Sequence, residues 1–321
     1  MKTKHLLATA ILSATAVLSS AGALAKNATV AVSQIVEHPA LDAARQGLLD
    51  GLKAKGYEEG KNLEFDYKTA QGNPAIAVQI ARQFVGENPD VLVGIATPSA
   101  QALVSATRSI PVVFTAVTDP VGAKLVKTME QPGQNVTGLS DLSPVSQHVA
   151  LIQEILPQVK SIGVVFNPGE ANAVTLVELL KVSAAAQGIE VVEATALKSA
   201  DVQSATQAIA AKSDIIYAPT DNTVASAIEG MIVAANQAKT PVFGGATSYV
   251  EKGAIAGLGF DYYQVGVQTA DYVAAILGGQ EPGKLDVKVA KGSDLVINPE
   301  AASKLGIQLP GSVVERATSM Q

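Results

Sequence analysis

The chain alternates short β-branched apolar runs with alanine-rich amphipathic stretches, and it does so in two successive sets. The runs Thr29–Ser33, Val91–Ile95, Val112–Phe114, Ile162–Phe166, Ile189–Val192, Ile215–Tyr217 and Val242–Phe243 read as strands buried on both faces. Leu41–Lys55, Ala75–Glu87, Ala100–Thr107, Val145–Leu156, Thr175–Gln187, Ser204–Lys212 and Val224–Ala238 read as the helices that cover them. Strand, helix, strand with few-residue loops predicts right-handed βαβ units, and therefore parallel sheets and an α/β fold.

The first set runs from Thr29 to about Val136 and the second from Ile162 to about Phe243. Between them Val136–Pro144, with Gly138, Ser140, Asp141 and Pro144, reads as a crossing between domains. A strand-like Ala254–Phe260, a helix Tyr262–Leu277 and the turn-rich Gly278–Gly283 follow, and strand-like Val287–Val289 and Leu295–Ile297 close the pattern. The expected architecture is two doubly wound parallel-sheet lobes joined by a multi-crossing hinge. Residues 26–139 and 261–281 would form lobe 1, and residues 140–260 and 282–321 lobe 2. Open α/β sheets bind ligands outside the carboxyl ends of their strands, so the cleft between lobes is the expected site.

Residues 1–25 carry an export pattern. Lys2 and Lys4 precede an apolar stretch from Leu6 to about Leu18, and Ala23-Leu24-Ala25 is the small-x-small pattern a signal peptidase cuts, leaving Lys26 first. That stretch is short for a bilayer span, and no later segment offers eighteen uninterrupted apolar residues. The absence of cysteine excludes disulfides, thiolate chemistry and cysteine-ligated metals. It also removes the acceptor for a bacterial lipid anchor, so the expectation is a soluble, monomeric protein of a Gram-negative periplasm. Of 23 Lys+Arg and 29 Asp+Glu, removing Lys2 and Lys4 leaves 21 against 29, a charge near −8. A mildly acidic chain without a basic run has no electrostatic footprint for nucleic acid.

The strand ends supply the candidate contacts. Gln34, Glu37 and His38 follow the first strand, and Thr97-Pro98-Ser99-Ala100-Gln101 opens a helix after Val91–Ile95. Val117 and then Thr118-Asp119-Pro120 follow the third run. In the second set Glu170, Asn172, Asp221 and Asn222 hold equivalent places, and Asp261 stands just before the Tyr262 helix. Each is also a good helix N-cap for purely local reasons, but six such turns converging on one cleft favour a ligand.

Catalytic patterns are absent. Gly138-Leu139-Ser140-Asp141-Leu142 fails a nucleophile elbow at its last position, and no phosphate-cradling glycine loop occurs. His38 and His148 have no metal-ligand spacing, so neither metal nor cofactor is expected.

Taken together, several motifs resemble those of periplasmic ABC transporter substrate-binding proteins of the type I fold, in the tryptophan/tyrosine permease-like subfamily. They are Gln34 with His38-Pro39-Ala40-Leu41-Asp42, Gly51-Leu52, Gly56-Tyr57, Thr97-Pro98-Ser99-Ala100-Gln101-Ala102 and Thr118-Asp119-Pro120-Val121-Gly122-Ala123. Asn135-Val136-Thr137-Gly138, Asn167-Pro168-Gly169-Glu170, Thr220-Asp221-Asn222-Thr223, Gly253-Ala254, Gly259-Phe260-Asp261-Tyr262 and Gly266 complete the set. The resemblance covers the whole chain after the export segment. It implies an aromatic amino acid as ligand, a membrane permease as partner and no catalysis. Asp221 and Asp261 also fall where related sugar-binding proteins keep polar contacts, so a sugar or other small polar solute stays open. A sensory receptor module shares the fold, and an exported enzyme using His38 with Glu37 is the third reading.

A zwitterion needs donors for its carboxylate and acceptors for its ammonium. Thr97, Ser99 and the N–H of Ala100 are the expected donors. Asp221 and Asp261 are the expected ammonium partners, with Glu170 or Asp119 next. Tyr262, Phe260, Val117 and Ile35 are the candidate apolar walls.

Overall fold

The computed structural model describes residues 27–321; the export segment lies outside them. In chain order the first lobe is built from β1 (Ala28–Gln34), α1 (Pro39–Ala54), β2 (Leu63–Thr69), α2 (Pro74–Glu87), β3 (Val91–Ile95), α3 (Thr97–Ala106), β4 (Val112–Val117) and β5 (Val136–Ser140). The chain then crosses. The second lobe takes α4 (Val145–Ile155), β6 (Ser161–Phe166), α5 (Ala171–Ala185), β7 (Glu190–Thr195), α6 (Ser199–Ala210) and β8 (Ile215–Ala218). It continues with α7 (Asn222–Ala225), α8 (Ile228–Gln237), β9 (Val242–Gly244), α9 (Ser248–Glu251) and β10 (Ala256–Gly259). A second crossing returns the chain to the first lobe for α10 (Tyr262–Leu277), a 3₁₀ turn (Pro282–Lys284) and β11 (Lys288–Val289). A third sends it back for β12 (Asp294–Ile297), α11 (Pro299–Lys304), α12 (Gly311–Arg316) and β13 (Ser319–Met320).

The six-stranded sheet runs β11-β5-β4-β3-β1-β2 and the seven-stranded sheet β13-β12-β10-β9-β8-β6-β7. Among the described residues only β10 with β12 pairs antiparallel; the other pairs are parallel, as the βα rhythm predicts. The central strands are covered on both faces. In the second lobe Val164, Tyr217 and Phe243 point into one apolar cluster, and their neighbours Val165, Ile216 and Ala218 into the other. That is the period-2 alternation of a strand between two helical layers.

Four segments differ from the sequence reading. β2 escapes a search for unbroken apolar runs because LEFDYKT buries only Leu63 fully, as an edge strand does. Val136–Ser140 is a wholly buried strand and not linker. Its glycine is there because a Cβ on Gly138 would stand 2.2 Å from the Phe114 carbonyl oxygen of β4. Residues 282–290 belong with the first sheet and not the second lobe, since β11 pairs with β5 through Lys288 to Leu139 and Val289 to Ser140. The helix expected over 224–238 breaks at Ser226–Ala227 into α7 and α8.

The returning α10 is locked onto α1 at very close range. A Cβ on Gly47 would lie 2.0 Å from the Tyr263 carbonyl oxygen, and one on Gly266 would lie 2.0 Å from that of Ala44. The second crossing is thereby anchored in the first lobe immediately after Asp261.

Candidate functional site

The carboxyl ends of both sheets face each other across a small, tight cavity. Its walls come from both lobes and from the hinge. The first lobe contributes His38, Ala40 and Leu41 at the start of α1, Ala116 and Thr118 at the end of β4, and Tyr262 at the start of α10. The second contributes Asn172, Thr220, Asp221, Asn222, Ala225, Ala246 and Tyr249, and the first crossing contributes Asp141. No Lys or Arg side chain stands in this wall.

Strand geometry decides which residues of β4 reach the cavity. The β4–β5 register slips between Phe114 and Val117, and Ala116 takes a left-handed φ of 53°, a backbone state an alanine adopts only where its surroundings impose it. Ala116 and Thr118 face the cavity, whereas Val117, fully buried, points into the core of the first lobe. Val117 is thus not a ligand wall.

Asp141 and Asp221 are the two carboxyl groups in the wall. Asp141 accepts a hydrogen bond from Tyr262 Oη at 2.7 Å and a longer one from Thr118 Oγ1 at 3.4 Å. Burial pushes its carboxyl above the usual range, with the Tyr262 hydroxyl opposing. Asp221 caps α7 through the Val224 N–H at 2.9 Å and accepts from the Asn167 N–H at 2.6 Å. Burial first, and the negative Glu170 second, hold the Asp221 carboxyl well above its ordinary value. No cation acts on either group.

Glu170 takes a different place from the one expected. Its carboxylate accepts from Asn222 N and Nδ2, Thr223 N and Oγ1, and Asn172 Nδ2, at 2.6 to 3.2 Å. With five donors upon it, Glu170 is a clamp that holds the α7 turn and orients both asparagines. Asn172 and Asn222 do face the cavity. Asn172 Oδ1 and Thr220 Oγ1 are buried there without a protein partner.

The other expected contacts separate. Asp261 is exposed and caps α10 through the Tyr263 and Gln264 N–H groups at 2.9 and 3.3 Å. Asp119 closes its own turn on the Gly122 N–H at 2.8 Å. Neither carboxylate reaches the cavity wall, and both are local caps. Ile35 and Phe260 lie in the core of the first lobe. The Ala100 N–H is already bonded to the Ala96 carbonyl within α3, and Ser99 Oγ is met by Ser33 Oγ at 3.4 Å. Thr97 Oγ1 is buried without a partner at the start of α3, outside the wall. Gln34 Nε2 binds the Val36 carbonyl and Asp42 Oδ1 at 2.9 and 2.8 Å, which fixes the loop that presents His38.

His38 reaches across the cleft, where the Asn222 side chain bonds it. Burial lowers its pKa to about 4, against the opposing pull of Asn222 and Glu170, so at neutral pH it is uncharged. Asp141 and Tyr249 are wall residues that the sequence did not point to, and Thr118 and Thr220, which stand in the expected strand-end turns, join them. Tyr249 is fixed by its own hydroxyl, which donates to the Pro219 carbonyl at 3.1 Å. Recognising Val136–Ser140 as a strand would have put Asp141 at a strand's carboxyl end.

Residues 29–321 match the ABC transporter substrate-binding protein family, and the chain belongs to it. The two lobes with three crossings are the type I periplasmic binding protein fold. The chain is 36% identical over 283 residues to a tyrosine-binding protein of Clostridioides difficile, covering 88% of this chain and 82% of that one. A solved conserved domain protein from Vibrio cholerae is 84% identical, with a TM-score of 0.92 over 92% of this chain and all of that one. An ABC domain from Streptococcus pneumonia in complex with L-Trp is 36% identical, with a TM-score of 0.89 over the same shares. The ligand-free, open structure of a substrate-binding protein with adhesive properties from Clostridium difficile is also 36% identical. It superposes at only 0.69, over 91% of this chain and 98% of that one. The chain thus superposes more closely on the complex with L-Trp than on the ligand-free, open structure. Substrate-binding proteins of this family work outside the cytoplasm, and no helix among the described residues is long and apolar enough to cross a membrane.

Proposed function

We propose that this protein is the periplasmic solute-binding component of an ABC uptake transporter, and that it encloses an aromatic L-amino acid by hinge closure. The observation that carries the reading is the sign of the cavity. It is lined by two buried carboxyl groups with a third behind them, no Lys or Arg, and a His38 that is uncharged at neutral pH, so it favours a ligand that brings positive charge. An ammonium group enclosed there supplies the charge partner that these buried carboxyls lack and favours their ionised form. Tyrosine and L-tryptophan, which two of the relatives are named as binding, each bring such an ammonium on an aromatic amino acid.

In this reading Asp221 and the free Oδ1 of Asn172 receive the ammonium. Neutral donors take the ligand carboxylate, with the unpartnered Thr220 hydroxyl first among them. Tyr249, Tyr262, Leu41 and the alanines of the wall give the ring its apolar surface. Closure joins the His38 side of the first lobe to the Asn222 side of the second, and the ligand favours it through contacts made only in the closed state. Residues 1–25 direct export, the closed monomer presents its ligand to membrane permease subunits, and the ligand leaves chemically unchanged. Native mass spectrometry of protein purified without refolding tests this reading. The expected adduct has the mass of an intact aromatic amino acid. A sugar adduct, or a product formed from the amino acid, contradicts it.

A further inference from the structure

An amino acid brings one ammonium, yet the cavity wall holds two buried carboxyl groups, Asp141 at the hinge and Asp221 on the second lobe. They are not equivalent. Glu170 adds its negative charge to the surroundings of Asp221, and Asn172 Oδ1 adds a free acceptor on the same lobe. A cation is therefore held best on that side. Asp141 instead receives two hydroxyls, Tyr262 at 2.7 Å and Thr118 at 3.4 Å. A carboxylate has about four acceptor positions, so Asp141 keeps capacity for a further donor. A buried carboxylate facing an enclosed ligand is unfavourable unless that ligand offers it a hydrogen.

We propose that Asp141 determines specificity, by accepting a hydrogen bond from an O–H or N–H on the ring of the bound amino acid. The protein thereby selects aromatic amino acids that carry a ring donor over those that lack one. The proposal rests on the aromatic amino acid reading above and deepens it. A phenol O–H or an indole N–H adds one more donor to the Asp141 carboxyl, beside the Tyr262 and Thr118 hydroxyls. A bare phenyl ring fills the same space and leaves the remaining acceptor position of Asp141 unmet. Discrimination of this kind is large, because the penalty falls on a buried polar group left without its partner.

The test is calorimetric titration of ligand-stripped protein with L-tyrosine, L-tryptophan and L-phenylalanine. Phenylalanine is expected to bind at least about a hundredfold more weakly than either of the others. In Asp141→Ala the tyrosine-to-phenylalanine affinity ratio should fall at least tenfold, with tyrosine losing more. In Asp221→Asn all three ligands should weaken by similar factors and the ratio should hold. If Asp141→Ala does not fold, Asp141→Asn serves, with the ratio moving the same way by less. Equal affinity of the unaltered protein for tyrosine and phenylalanine overturns the proposal while leaving the aromatic reading standing. A ratio untouched by the Asp141 variant also overturns it, as does one that collapses in the Asp221 variant instead. Binding of none of the three overturns both.

Discussion

The Tyr262 hydroxyl donates to Asp141 Oδ2 at 2.7 Å across 121 residues of sequence. Asp141 stands in the first crossing between lobes and Tyr262 directly after the second. The bond therefore ties two hinge strands together beneath the ligand cavity. Thr118 adds a third element to the same carboxylate.

Replacing Tyr262 by Phe removes the stronger of the two donors to a buried carboxylate. The expected loss of stability is about 1–3 kcal/mol, the usual cost of a buried acceptor left unmet. Urea unfolding checks it, and an unchanged midpoint would show that the hinge strands are held together without this bond.

Asp221 and Asp261 looked interchangeable in sequence and differ completely in place. Asp221→Ala should weaken ligand binding by about 2–5 kcal/mol, the scale for removing one member of a buried charge pair. Asp261→Ala should keep ligand affinity and lose about 0.5–2 kcal/mol of stability as a vacated helix cap. Calorimetry and thermal melts on the two variants separate these outcomes; a loss of affinity in Asp261→Ala contradicts the exposed-cap geometry.

His148 is buried beside Tyr217, whose hydroxyl lies 3.0 Å from its Nδ1. Burial lowers its pKa from 6.5 to about 4, so the folded protein holds it neutral while the unfolded chain protonates it. The unfolded state then binds more protons between pH 4 and 6.5. Stability should therefore be full above about pH 6.5 and decline as pH falls through that window, by about 3 kcal/mol from this group. Denaturation midpoints measured from pH 7 to 4 should show a decline that is shallower in His148→Gln.

The contact of α1 with α10 tolerates no side chain at Gly47 or Gly266, because the obstacles are backbone carbonyl oxygens at 2.0 Å. Gly266→Ala should cost about 3 kcal/mol or more, at the upper end of overpacking effects. A melting temperature within a degree or two of the unaltered protein would show that the two helices can separate freely.

The fold was largely legible because a parallel strand buried on both faces must read as an unbroken apolar run, as Val91–Ile95 and Ile162–Phe166 do. The half-exposed β2 carries no such signature. The glycine in Val136–Ser140 suggests a linker when it marks close approach to Phe114. The site was legible in part. Strand order locates the cleft, and Asn172, Asp221, Asn222 and Tyr262 do stand in the cavity wall. Whether a polar residue at a strand end caps a helix or faces a ligand depends on where one side chain points, and spacing does not fix that. Asp119 and Asp261 cap, Glu170 clamps a turn, and Asp141 faces the cavity because the chain crosses there.

Calorimetric titration of unfolded, dialysed and refolded protein with L-tyrosine, with a sugar run in parallel, tests the central claim most directly. The account predicts saturable binding of one tyrosine per chain, with a negative heat-capacity change from apolar surface enclosed between the lobes. Absence of tyrosine binding beside saturable binding of the sugar would contradict it.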